Sequence, residues 1–131
     1  MNKNPILLFF SFFIIWNVSG QAPFQKTYGG NSSDIAYSVQ QTCDGGFIVA
    51  GYTFSFGDSA SDIYLVKTNS AGDTLWTKTY GGQGNDYGYA VEQTSDSGFI
   101  ITGSTNSFGA GGYDVFLIKI SRMNFSVSCL K

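Results

Sequence analysis

Six aspartates recur in pairs 52 residues apart: Asp34 with Asp86, Asp44 with Asp96, and Asp62 with Asp114. Paired carboxylates are the machinery of glycoside hydrolysis, provided two of them face one cleft in different environments. Carboxylates also ligate hard cations, and Asp58-Ser59-Ala60-Ser61-Asp62 and Asn85-Asp86 concentrate oxygen donors. Neither stretch follows the D-x-[DN]-x-[DN]-G spacing with a following Glu that a calcium loop uses. The chain contains no histidine. That removes the commonest general base, the commonest transition-metal ligand and the partner a serine nucleophile needs. GGQGNDYG, residues 81–88, lacks the GK[ST] of a phosphate loop.

Each aspartate also has a plainer use. Asp44 and Asp96 sit in hairpin turns, Asp62 and Asp114 open strands, and Asp34 and Asp86 are placed to accept from loop amides after a Gly-Gly pair. An active site is built once, so repetition at equivalent positions favours structure. The expectation is no catalytic residue, no metal and no cofactor. Five aromatics at strand ends or loops, Tyr28, Tyr80, Phe56, Phe108 and Tyr113, offer rings for sugar stacking. The recurrence of Tyr28/Tyr80 and Phe56/Phe108 favours packing between sheets instead, because aromatics carry the largest burial in thin β units.

The elements that must position these residues follow from the repeat. Residues 26–67 align with 78–119 without a gap, with 22 identities in 42 positions. KTYGG matches KTYGG, QTCDGGFI matches QTSDSGFI, and both copies carry SFG. A period near 50 lies in the range of propeller blades. Each unit reads as four strands: LWTKTY (75–80) with the shorter FQKTY (24–28) as its counterpart, then IAYSVQQT (35–42), GFIVAGYT (46–53) and DIYLVKT (62–68). Asp44-Gly45 marks a hairpin, and 69–73, NSAGD, turns the chain into the next LW strand. The second strand alternates Ile35, Tyr37 and Val39 with polar residues, whereas the third and fourth are apolar on both faces. Apolarity on both faces calls for sheets stacked on either side. Recurring Gly and β-branched residues, with no 3.6-residue stripe, exclude helices.

Composition agrees. Charged residues are 12% of the 131-residue chain and aromatics 17%, with 17 glycines, a profile of strands joined by tight turns. The formal net charge of −2 gives no electrostatic case for nucleic acid. Residues 1–20 read as a secretory signal: a short start bearing Lys3, an apolar run from Ile6 to Trp16, and small residues Val18 and Gly20 before an expected cut between Gly20 and Gln21. Eleven apolar residues cover about half of a bilayer core, so no membrane span is expected once the signal is removed. Without Lys3 the chain has six basic and nine acidic residues, a net of −3. Export permits disulfides, yet only Cys43 and Cys129 are present. Cys43 has Ser95 as its repeat partner, and no disulfide framework is visible, so both are read as unpaired thiols.

The pattern YGGxxxDxAYSVxQTxDGGFIVAGYTxSFG…DxYLVKTxxxGDTLW resembles the β-propeller-type repeats of secreted proteins from Bacteroidetes and related bacteria. The resemblance covers about residues 24–120. It implies an all-β fold, here two four-stranded antiparallel blades of an incomplete β-propeller, at an extracellular or cell-surface address. Such proteins often carry a C-terminal sorting domain, and residues 121–131 are not read as one. The family has no agreed catalytic residues to transfer. Asp58-Ser59-Ala60 and Asp73-Thr74-Leu75 also look similar to O-glycosylation sites of such bacteria.

The organisation read from this is a signal at 1–20, repeats at 21–73 and 74–120, and a divergent tail at 121–131. In that tail SRMNFSVSCLK replaces NSAGDTLWTKT, with Asn124 at the turn glycine and Ser128 at the tryptophan. The tail reads as a truncation, a frameshift or a fragment boundary, with a genuine short form as the alternative. Two blades do not close a ring of roughly four to eight, so missing blades or self-association are expected. The leading functional expectation is a non-catalytic secreted module, structural or binding protein or ligand. Its alternatives are a carbohydrate-binding, lectin-like surface protein and the non-catalytic part of an extracellular hydrolase.

Overall fold

β-Branched and aromatic residues bounded by Gly, Asp and Ser turns produce strands where the pattern places them. The computed structural model describes residues 22–58 and 60–121. Seven strands follow in order: β1 (Asp34–Gln41), β2 (Phe47–Thr53), β3 (Asp62–Thr68), β4 (Thr74–Tyr80), β5 (Asp86–Gln93), β6 (Phe99–Thr105) and β7 (Asp114–Ile120). They form two antiparallel meanders, sheet 1 ordered β1-β2-β3-β4 and sheet 2 ordered β5-β6-β7. The described chain is all-β, and its sheets are not closed on themselves. None of its segments is a helix long and apolar enough to cross a membrane. The signal cut at Gly20 and Gln21 and residues 122–131 lie outside the described residues.

The duplication persists in the hydrogen-bonded register. Asp34 pairs with Thr53 and Val39 with Val49 in sheet 1, as Asp86 pairs with Thr105 and Val91 with Ile101 in sheet 2. Both copies carry a bulge at the same place, after Ala36 and after Gly88. Opposite each bulge stands a glycine, Gly51 or Gly103. A Cβ there would fall 1.8 Å from the carbonyl oxygen of Ile35 or Tyr87, so only glycine lets the bulged strand approach.

Two expectations change. FQKTY (24–28) forms no strand, and LWTKTY does not open the second sheet. It is β4, the outer strand of sheet 1, with Leu65 opposite Lys78 and Lys67 opposite Trp76. The reason is the turn at 69–73. Gly72 donates to the Asn69 carbonyl, Asn69 donates back to that of Asp73, and the Asn69 side chain accepts from Ala71 and Asp73. This tight hairpin keeps β4 beside β3, and the crossing to the next sheet comes later, after Tyr80. The sheets therefore hold four and three strands rather than four and four, and they are out of phase with the 52-residue unit.

Sheet 2 stacks on sheet 1. Ile48, Ala50, Ile63 and Leu65 from sheet 1 meet Val91, Phe99, Ile101 and Ile120 from sheet 2, with Trp76, Tyr80, Phe116 and Ile118 packed around them. The burial of these side chains is the main driving force of the fold, at about 1.5–3 kcal/mol for each large one. Double-sided burial holds for β3, every residue of which is buried. It fails for β7, whose pattern is mostly exposed. On β1 the alternation misleads, since Ile35, Tyr37 and Val39 are exposed.

Candidate functional site

The aspartates are used by the backbone. Gly30 donates to Asp34 Oδ2 at 2.9 Å and Gly82 to Asp86 Oδ2 at 3.0 Å, closing the two YGG loops alike. Asp44 and Asp96 accept from Gly46 at 3.0 Å and Gly98 at 3.1 Å, and each carboxylate also meets a lysine from the strand two places on, Lys67 at 3.0 Å and Lys119 at 2.8 Å. Asp62 and Asp114 accept from the backbone of Asp58 and Ala110. Burial opposes ionisation of Asp34, but donation from Thr53, Gly30 and Ser55 outweighs it and holds the carboxyl below its ordinary value. Asp44 behaves likewise: burial is outweighed by Thr42, Lys67 and Gly46.

One pair of carboxylates does come together, at the joint between the sheets. Asp62 and Asp86 flank Gly81, where an added Cβ would lie 1.9 Å from Asp62 Oδ1 and 2.6 Å from Asp86 Oδ2. Both are buried. Burial pushes Asp62 up, opposed by donation from Asp58 and helped by the negative charges of Asp86 and Asp58. Asp34 Oδ1 accepts from Thr53, whereas Asp86 Oδ1 is buried with no hydrogen-bond partner. Backbone links hold the joint: Asp86 donates to the Ser61 carbonyl at 2.7 Å and the Ser61 hydroxyl to Asn85 Oδ1 at 2.9 Å. No set of three or more Asp, Glu, Cys or His among the described residues is placed to hold a metal ion. Both carboxylates are almost wholly shielded from solvent, at 4% and 0% exposed.

The surface feature with recognition chemistry is aromatic. Tyr37 from β1, Tyr52 from β2, and Tyr87 and Tyr89 from β5 form one continuous cluster across both sheets. Tyr37 lies 5.7 Å from Tyr52 and 5.4 Å from Tyr89, and Tyr52 lies 4.9 Å from Tyr87. Phe54 and Tyr113 extend it, at 5.7 Å from Tyr52 and 6.0 Å from Tyr87. Tyr37, Tyr89, Phe54 and Tyr113 are each about half exposed. Burial first, and then the neighbouring Tyr37, pushes the Tyr52 hydroxyl up; Tyr113 is pushed up first by its hydrogen bond with Tyr87.

Of the five aromatics singled out from the sequence, only Tyr113 joins this cluster. Tyr28 and Tyr80 are half-buried, and Phe56 and Phe108 pack on Tyr64 and Phe116 at 5.4 and 5.6 Å. Tyr37 and Tyr89 were legible as a repeated pair, but their alternation pointed to a core face. Cys43 is disulfide-bonded, which corrects the reading of an unpaired thiol; Cys129 lies outside the described residues. No protein-family model and no curated protein matches the chain.

Proposed function

We propose that this chain is a secreted or cell-surface, non-catalytic module of propeller-type repeats that acts through its surface, as structure or in binding protein or ligand. The observation that supports the reading best is the use of all six repeated aspartates as loop and joint ties. Stacking of two sheets with identical register supports the assignment to propeller blades, as does the resemblance of the repeats to Bacteroidetes-type secreted propellers. Export is tested by N-terminal sequencing of the secreted product, with Gln21 expected first and an uncleaved Met1 overturning it.

A carbohydrate-binding role is the second reading, favoured by the six-ring cluster from Tyr37 to Tyr113. Ring faces held half-exposed side by side suit the apolar faces of sugars. A glycan array probed with the full chain tests it. The role requires binding that falls at least about tenfold in Y37A or Y89A, and no bound glycan at all sinks it. A part in an extracellular hydrolase outside these residues stands as a third reading.

A further inference from the structure

The open face of sheet 2 and the covered face of sheet 1 are the same surface, one repeat apart. Ile100, Thr102, Val115 and Leu117 stand where Ile48, Ala50, Ile63 and Leu65 stand, and the latter four form the core against sheet 2. Val115 and Leu117 are 85% and 64% exposed, whereas Ile63 and Leu65 are fully buried. Among the described residues β7 also has no outer neighbour of the kind that β4 provides for β3.

The complement lies at the opposite end of the stack. Residues 24–30 hold to sheet 1 the place that residues 76–82 hold to sheet 2. Phe24 meets Phe47 at 5.9 Å as Trp76 meets Phe99 at 6.0 Å. The Gly30–Asp34 and Gly82–Asp86 bonds match, and so do Ser32 to Ser55 at 3.0 Å and Gly84 to Ser107 at 2.9 Å. Between this segment and sheet 1 is a cleft of about 290 Å³, lined by Tyr28, Ala36, Val49, Tyr64 and Val66 among others. In sheet 2 the equivalent residues are Tyr80, Gly88, Ile101, Phe116 and Ile118, and the space they border is filled by Ile63 and Leu65. A Cβ on Gly88 would come 2.9 Å from Ile63 Cγ2. The cleft has Ala36 at that point, and the open face has Val115 in place of Ile63. Val115 is one carbon smaller than Ile63, which gives the side chain that enters the cleft more room to adjust beside Ala36.

We propose that a second copy of this chain docks head to tail, its sheet 1 covering the open face of sheet 2 and its residues 24–28 joining β7 as an antiparallel fourth strand. Leu117 then lies opposite Lys26 and Lys119 opposite Phe24 of the incoming copy, as Leu65 lies opposite Lys78 and Lys67 opposite Trp76. Strand addition satisfies an edge that is unpaired among the described residues, and the cleft receives Val115 and Leu117. Of the polar ties at the internal joint, the one from the Gln93 amide to Gln40 Oε1 has a counterpart in Glu92 and the Gln41 amide. The one from the Val91 amide to Ser38 Oγ does not, because Ala90 stands at that position. The external joint is accordingly weaker than the internal one. Because the two surfaces differ, the contact is heterologous and open-ended. The inference rests on the stacked-sheet reading but not on any ligand.

Sedimentation equilibrium of the full chain tests it, together with two blocked variants. V115E/L117E blocks the tail face and I35E/V39E the head face, and both pairs alter exposed residues that leave the internal core intact. The full chain is expected to show a mass that rises with concentration through the micromolar range. Each variant is expected to associate at least about tenfold more weakly, and an equimolar mixture of the two to form a 1:1 dimer through the unblocked head and tail. K26C in one copy and L117C in another are then expected to form an intermolecular disulfide, with I118C, on the other face of β7, failing to do so. A constant monomer mass for the full chain, or a mixture that stays monomeric, overturns the docking while leaving the stacked sheets standing. Undiminished cooperative unfolding of L65E would instead overturn the stacking itself.

Discussion

Leu65 and Leu117 are the same residue at the same place in the repeat, yet one is fully buried and the other largely exposed. The same holds for the lysine two positions on: the Lys67 side chain is 5% exposed against 42% for Lys119, although each pairs with the aspartate of its own hairpin. Local sequence and register are alike in the two strands, so the difference comes from what lies outside them. β3 has sheet 2 on one face, the segment at 24–30 on the other and β4 along its edge. Among the described residues β7 has only β6 and the joint with sheet 1. Position in the stack, rather than composition of the repeat, decides which copies form core.

The largest expected effect sharpens that contrast. L65A opens a cavity in a dry core and is expected to cost about 3 kcal/mol in urea unfolding, whereas L117A is expected within about 0.5 kcal/mol at concentrations where the chain is dispersed. An equal cost for the two would mean that the sheet 2 face is covered in solution. A smaller effect is expected at the hairpin pairs. D44A strands a buried ammonium and is expected to cost about 1–2 kcal/mol, less than a fully buried pair because Asp44 itself is partly open. D96A, at an exposed pair, is expected to fall within measurement scatter.

The smallest effect is in the pH profile. Asp34 and Asp44 sit below the ordinary value near 3.8. Their contribution is therefore present above that value and lost as pH falls through their folded values. Asp62 is raised, so its sign is opposite: the fold favours the protonated form, and that contribution disappears as pH rises through the raised value. D62N is expected to raise the thermal midpoint slightly at pH 7 and to lose the advantage by about pH 3. A midpoint lowered at pH 7 would show the Asp62 charge to be needed at the joint.

Strand positions, turn chemistry and the use of the aspartates were legible because each depends on a few neighbouring residues. Asp44-Gly45 makes a hairpin wherever it sits, and Gly29-Gly30 before Asp34 makes the same loop as its copy. The pairing of β4 was not legible from the period. A tandem repeat has no natural origin, and only the geometry of the 69–73 turn shows which neighbour the LW strand joins. The aromatic cluster was hidden for a related reason. Tyr37 and Tyr89 alternate with polar residues as core positions do, and the bulges after Ala36 and Gly88 redirect that part of each strand. The Asp62–Asp86 pair brings together different positions of successive repeats, which an alignment of equivalent positions never compares.

The mismatch between repeat and sheet has a mechanical meaning. A cut between successive 52-residue units falls in the 69–73 turn, within sheet 1, while the seam between the sheets falls within the second unit, after Tyr80. Joints in the chain and joints in the wall are staggered, as courses of brick are laid to overlap. The chain therefore crosses the seam directly from a strand that is hydrogen-bonded into sheet 1. A duplication that adds one more unit carries its own overlap, so the stack lengthens without creating a weak plane.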